Sequence, residues 1–166
     1  MKKIIKNLKK IIKPVVIGML VISMTSLSVS AEGLDELGKI VDGSELTNKN
    51  VSEDIQGTLT RGNILNQGIA KITNLGGGRV NVYGSATCFV TCDLVNVKLT
   101  LQRYSGGAWY NVEMFDDTAY NTATLTKSYN VSVSKGYYYR VKGACVAKKG
   151  STTESKLPTT DGIWIG

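Results

Sequence analysis

The stretch from Lys135 to Val146 constrains the fold most, because its side chains alternate between apolar ones and a set that includes the charged ones. One parity is apolar and includes Tyr139 and Val141, whereas the other carries Tyr138, Arg140 and further polar residues. A period of two is that of a β-strand, in which successive side chains point to opposite faces. We therefore predict a central strand with Tyr139 and Val141 on a core and with Tyr138 and Arg140 facing water.

Similar short apolar patterns recur along the second part of the chain and are separated by turn residues. Glycine-rich turns lie at Gly76-Gly77-Gly78 and Ser105-Gly106-Gly107, where positive φ angles are accessible without strain. Together these patterns give about seven strands in roughly a hundred residues. Such spacing predicts an all-β domain, namely an antiparallel, immunoglobulin-like β-sandwich. The other predicted strands cover residues 69–73, 79–87, 94–103, 108–115, 125–133 and 162–165.

Residues 1–31 have the features of a secretory signal peptide. They contain six lysines and no acids, then an apolar run from Val15 to about Leu27, then Val29-Ser30-Ala31 as a small-residue cleavage site. The apolar run is shorter than the roughly 20 residues that a membrane-spanning helix needs. We expect a secreted, extracellular protein that contacts the membrane only through this segment before cleavage. A retained membrane anchor is the alternative.

Residues 32–61 differ from the rest in composition, with seven acids, three bases and no aromatic residue or cysteine. A segment with so little apolar surface has little to offset the entropy lost on ordering. We predict a flexible acidic lead-in over 32–61, followed by the β-sandwich domain over 62–166. A propeptide or a spacer from the cell envelope is the alternative for the acidic segment.

The net charge of +7 comes mainly from the first segment. Beyond residue 31 the chain carries 14 basic and 13 acidic residues. So small an excess argues against a nucleic-acid partner, which requires a concentrated positive surface.

The residue inventory argues against catalysis, metal binding and cofactors. The chain has no histidine, which removes Ser-His and Cys-His nucleophiles and histidine metal ligands. Asp116-Asp117 lacks the ligand spacing of a calcium loop. Cys88, Cys92 and Cys145 offer three thiolates without a fourth ligand for zinc. We predict a non-enzymatic protein without a cofactor, and a secreted hydrolase with an unrecognised site is an alternative.

Aromatic and basic side chains at outward positions suggest a surface for binding an extracellular glycan or protein. Such rings stack on sugars and anchor protein partners, although pairing with a neighbouring strand is the simpler explanation for each one. A structural, self-associating envelope protein is a further alternative, with the last strand, Gly162–Ile165, pairing between copies. The candidate ligand-binding residues are Tyr83, Trp109, Tyr110, Tyr138 and Arg140.

Three motifs resemble a family of secreted proteins of unknown function from Gram-positive gut anaerobes. They are Leu101-Gln102-Arg103, Gly107-Ala108-Trp109 and Tyr138-Tyr139-Arg140-Val141, and the likeness covers residues 61–166. The strand plan is also similar to immunoglobulin and fibronectin type III modules. The resemblance implies no activity.

In an immunoglobulin-like plan all three cysteines gather at one end of the sandwich. Cys88 and Cys145 each share a face with the valines of their own strand, which favours a Cys88–Cys145 disulfide outside the cell. A Cys92–Cys145 pair and three free thiols are the alternatives.

Overall fold

The computed structural model describes residues 33–57 and 64–166, which are almost entirely β-structure. A single 3-10 turn, η1, precedes nine strands, and no helix in the described part is long and apolar enough to cross a membrane. The predicted all-β class is therefore confirmed, whereas the predicted signal peptide over 1–31 lies outside the described residues. The elements are η1 (Leu34–Glu36), β1 (Ile40–Val41), β2 (Ser44–Thr47), β3 (Val51–Gly57), β4 (Leu65–Gly76), β5 (Arg79–Ser105), β6 (Ala108–Ser132), β7 (Tyr137–Lys149), β8 (Thr152–Lys156) and β9 (Gly162–Ile165).

All nine strands belong to one mixed sheet with the order β1-β2-β9-β7-β5-β4-β3. Strand β6 pairs with β5, β8 pairs with β7, and β2 runs parallel to β9. This topology differs from the predicted antiparallel, immunoglobulin-like sandwich of about seven strands. One reason is that β5 and β6 have 27 and 25 residues and continue through stretches that the sequence pattern divides into separate strands.

The sheet curls so strongly that the two halves of a single strand face each other. A Cβ atom on Gly84 would lie only 2.5 Å from Leu99 Cδ2, although both residues belong to β5. In β6, the rings of Phe115 and Tyr129 stack with their centroids 4.0 Å apart. Fourteen residues of straight strand would separate those rings by roughly 46 Å. Glycine at position 84 is thus required by the close approach of the opposite half.

The core lies between the facing halves of the curled sheet. Tyr139 and Val141 are buried there, as the alternation in β7 predicts. The inward residues of the second half of β5 are also buried, namely Val95, Val97, Leu99 and Leu101.

Strand β3 pairs with β4 through its backbone on one side, and on the other side it closes the curled sheet through side-chain hydrogen bonds. Its polar residues at alternate positions point the same way and reach the segment between β8 and β9, which lies about a hundred residues later in the chain. We call this set of contacts the seam. It consists of Ser52 Oγ with Asp161 N (2.9 Å), Asp54 Oδ2 with Thr159 N (2.7 Å), and Gln56 with the N–H and C=O of Leu157 (3.0 Å each).

The prediction of a flexible acidic lead-in over 32–61 is therefore wrong for the part that is described. Residues 33–57 supply β1, β2 and β3 to the same sheet as the remaining strands, and η1 precedes them. The separation into 32–61 and 62–166 fails for the same reason. Composition misleads here because the polar side chains of β3 satisfy backbone N–H groups of another segment, which water would otherwise have to satisfy.

Neighbouring acids in β3 allow the seam to be tested. Asp54→Ala should lower the free energy of unfolding by about 1–2 kcal/mol, because the Thr159 N–H loses its acceptor. Glu53→Ala is the matched control, since Glu53 makes only a half-exposed ion pair with Lys71 at 3.8 Å and should cost less than about 0.5 kcal/mol. Urea denaturation of both variants measures the difference. Equal effects would contradict the role of the seam.

Candidate functional site

Arg140 and Tyr138 are buried, with 1% of each residue exposed, although the alternation in β7 places them on a water-facing surface. The described N-terminal segment covers that surface at this end of β7. Leu46 in β2 packs with Tyr138 and Tyr104 in a second, smaller apolar cluster. The prediction that Tyr138 and Arg140 form part of an open binding surface is therefore wrong.

The guanidinium of Arg140 is held by a cage of acceptors. Its Nη2 donates to Asp42 Oδ2 at 2.6 Å, and its Nε donates to Gln102 Oε1 at 2.8 Å. Its Nη1 donates to Ser44 Oγ at 2.8 Å and to the carbonyl of Asp42 at 3.0 Å. The ring of Trp109 lies 4.3 Å from the guanidinium carbon, in cation–π contact. Arg140 thus fixes the β1–β2 turn to the centre of the sheet.

The five predicted ligand-binding residues do not form one site. Trp109 is half-buried and donates its indole N–H to the carbonyl of Val41 at 3.1 Å. Tyr110, on the opposite parity of β6, is 55% exposed. Tyr83 lies in the first half of β5, opposite Ser128. Trp109 packs with Arg140 and Tyr138 beneath the N-terminal segment, whereas Tyr83 and Tyr110 are not part of this cluster. The prediction of one open surface shared by all five residues is therefore wrong.

A cleft of about 650 Å³ lies at the end of the sheet where β5 ends and β7 begins. Antiparallel pairing brings these two ends together, since Arg103 of β5 is opposite Tyr139 of β7. The end of β9 lies at the same place, because Trp164 is opposite Tyr138. Residues at the two ends of η1 also line the cleft. The principal lining side chains are Glu36, Lys39, Tyr104, Tyr137, Tyr138 and Trp164.

Sequence reasoning found only Tyr138 among these cleft residues. The sequence does contain a signal for the other two tyrosines, because Tyr104 directly precedes one glycine turn and Tyr137 directly follows Gly136. Turns that flank adjacent antiparallel strands place such residues at the same end. No comparable signal exists for Glu36 and Lys39, which come from the segment with the least globular composition.

One wall of the cleft carries a chain of polar contacts. Lys39 Nζ donates to Glu36 Oε1 at 3.1 Å and to Tyr104 OH at 3.2 Å, while Tyr104 OH donates to Glu36 Oε1 at 3.0 Å. The hydrogen bond with Tyr104, and then that with Glu36, raises the pKa of the Lys39 ammonium. The wall therefore presents an ammonium and a carboxylate side by side, in fixed orientation.

Another wall of the cleft is aromatic and tightly packed. The rings of Tyr138 and Trp164 meet edge to face, with centroids 5.0 Å apart. The backbone of Gly33 lies against the Trp164 ring, so that a Cβ there would lie 1.9 Å from Trp164 Cζ3. Among the described residues the Tyr138 hydroxyl has no hydrogen-bond partner, and burial, followed by the charge of Glu36, raises its pKa.

The predicted Cys88–Cys145 disulfide is absent, and all three cysteines are free, buried thiols. Cys145 Sγ donates to the carbonyl of Ser85 at 3.4 Å rather than meeting Cys88. Burial raises the pKa of Cys145 to about 11, and burial together with a hydrogen bond to Cys92 raises the pKa of Cys88 to about 12. Within 33–57 and 64–166, no group of cysteine and acidic side chains is arranged to hold a metal ion.

The Arg140 cage predicts a pH-dependent difference between the wild type and Asp42→Asn. The hydrogen bond from Arg140 lowers the pKa of Asp42, so this carboxylate stabilises the fold above its unfolded pKa of about 3.9. That stabilisation is lost as the pH falls through the lower, folded pKa. Asparagine tolerates the positive φ of 48° at this position, so the change isolates the charge.

We expect Asp42→Asn to have a lower urea midpoint than the wild type at pH 7 and an equal midpoint at the most acidic pH at which the fold persists. The matched control is Asp35→Asn, which changes an exposed acid of the same segment. A midpoint difference that stays constant with pH would contradict the ion pair.

A family model spans most of the described fold. It matches residues 37–162 and is described as a family of unknown function, DUF6147. No curated protein matches the chain. The matched residues run from just before β1 to the start of β9, so the family unit includes the segment that covers Arg140. The chain belongs to this family of unknown function, DUF6147.

Proposed function

We propose that the protein is an exported, non-enzymatic binding module and that its end cleft takes a short extracellular glycan. The cleft itself carries this proposal: it is an open space of about 650 Å³ lined by aromatic rings and by the Lys39–Glu36 pair. Its volume falls within the range of roughly 300–1,000 Å³ that is usual for small-ligand sites. Export rests on the basic and apolar pattern of residues 1–31.

Sugars fit both walls chemically. The C–H face of a pyranose ring packs on aromatic rings, and the partly buried Tyr137 and Trp164 line the cleft, Tyr137 with one face already against the Arg103 guanidinium at 4.5 Å. Sugar hydroxyls both donate and accept, and Glu36 and Lys39 offer an acceptor and a donor within 3.1 Å of each other. The buried Tyr138 hydroxyl gains a partner if a ligand or water enters.

A second candidate function is self-association, which a different feature favours. The predicted route through Gly162–Ile165 is blocked, because β9 lies between β2 and β7. Among the described strands β6 instead pairs only with β5, and its exposed large apolar side chains include Tyr110, Met114 and Tyr120. An open edge of this kind accepts another strand, here β6 of a second copy. Sedimentation of the full chain distinguishes a monomer from such a dimer.

Two matched pairs of variants test the glycan proposal by calorimetric titration of the full chain with glycans selected on an array. Glu36→Gln and Tyr137→Ala should each weaken binding about tenfold, since they remove a charged hydrogen-bond acceptor and a stacking ring. The control for Glu36→Gln is Asp35→Asn, which changes the neighbouring acid outside the cleft. The control for Tyr137→Ala is Tyr110→Ala, which removes a tyrosine ring outside the cleft.

Binding that the cleft variants leave unchanged, or that Tyr110→Ala weakens instead, would contradict the assignment of the site. Absence of any bound glycan on the array would contradict the ligand class.

A further inference from the structure

The corner of β5 between Thr87 and Cys92 is a large bulge. Thr87 is opposite Thr124 of β6, and Cys92 is opposite Thr122, so β5 advances five residues while β6 advances two. In an extended strand, the five steps from Thr87 to Cys92 would span about 17 Å, whereas the two steps of β6 opposite them span about 7 Å. The bulge therefore shortens the distance between Cys88 and Cys92, as a disulfide, with its Cα separation of about 4.4–6.8 Å, requires.

Both thiols turn inward at this bulge, while the residues between them turn outward. Cys88 and Cys92 belong to the same buried core cluster, whereas Phe89 and Val90 are exposed. Cys92 Sγ donates to the carbonyl of Val90 at 3.5 Å, inside the bulge. On the other side, the Phe89 N–H donates to the carbonyl of Ile64 at 3.0 Å and fixes the backbone beside Cys88.

We propose that Cys88 and Cys92 oxidise to a disulfide within the β5 bulge as the chain folds, before the core buries both thiols, leaving Cys145 as a free thiol. In this step a low-molecular-weight disulfide is the oxidant. One cysteine thiolate attacks it and releases one small thiol, and the second cysteine thiolate then displaces the other small thiol. The protein loses two hydrogens as the S–S bond forms, and the oxidant is reduced to two thiols.

Cys145 has different neighbours and is not part of this pair. Its sulfur donates to the carbonyl of Ser85. Its side chain also packs closely against Gly68, where an added Cβ atom would lie 3.1 Å from the Cβ of Cys145. The backbone of Cys145 is opposite Val97, whereas its side chain packs toward Ser85 and Gly68, beside the regular part of β5 before the bulge begins. Joining Cys88 to Cys145 would require these packed strands to shift.

Trypsin separates the possible products cleanly. Cleavage at lysine and arginine places Cys88 and Cys92 together in the peptide Val80–Lys98 and leaves Cys145 in Gly143–Lys148. The full chain is refolded with a mixture of reduced and oxidised glutathione. Free thiols are then alkylated in denaturant, and the non-reduced digest is analysed by mass spectrometry.

We expect Val80–Lys98 to be lighter by two hydrogens, without alkylation, and Gly143–Lys148 to be alkylated at Cys145. The matched variant Cys145→Ser should give the same intrapeptide bond, and Cys92→Ser should abolish it. A cross-link between the two peptides, glutathione retained on Cys88 or Cys92, or three alkylated cysteines in the refolded protein would each overturn the proposal.

Discussion

The buried guanidinium of Arg140 determines which part of the chain must cover the sheet. An isolated charge removed from water is strongly unfavourable, so a cation in this position requires acceptors within hydrogen-bonding distance. The sheet supplies Gln102 and the ring of Trp109, and the remaining acceptors come from Asp42 and Ser44 at the β1–β2 turn. Folding of the strands that hold Arg140 is therefore coupled to docking of the N-terminal segment.

Docking of this segment also creates the candidate site. Once β1 and β2 lie over the outer face of β7, η1 extends across the end of the sheet and brings Glu36 and Lys39 to Tyr104. The aromatic wall alone is an apolar cluster of the kind found in many β-proteins. The added ammonium and carboxylate convert it into a cleft with both stacking surfaces and directional hydrogen bonds.

Sequence patterning predicts the all-β class, the glycine turns and the inward residues of β5 and β7, because alternation reports directly on burial across a pleated sheet. It fails where burial depends on a distant segment. The position of Arg140 in the alternation predicts a solvent-exposed side chain, yet β1 and β2 cover that face of β7. Polar alternation at Ser52 and Asp54 suggests a solvated segment, although these side chains bond to the backbone of residues 159–161. The curl of β5 is equally hidden, since the alternation breaks at the bulge and the pattern therefore predicts two separate strands rather than one bent strand.

Native-state amide hydrogen exchange on the full chain tests the coupling of the N-terminal segment to the sheet most directly. If residues 33–57 are integral to the fold, the amides of β2 and β3 should exchange with the same opening free energy as those of Val95–Leu101 in β5. Exchange of β2 and β3 at the rate of an unfolded peptide, while the centre of β5 stays protected, would contradict that coupling.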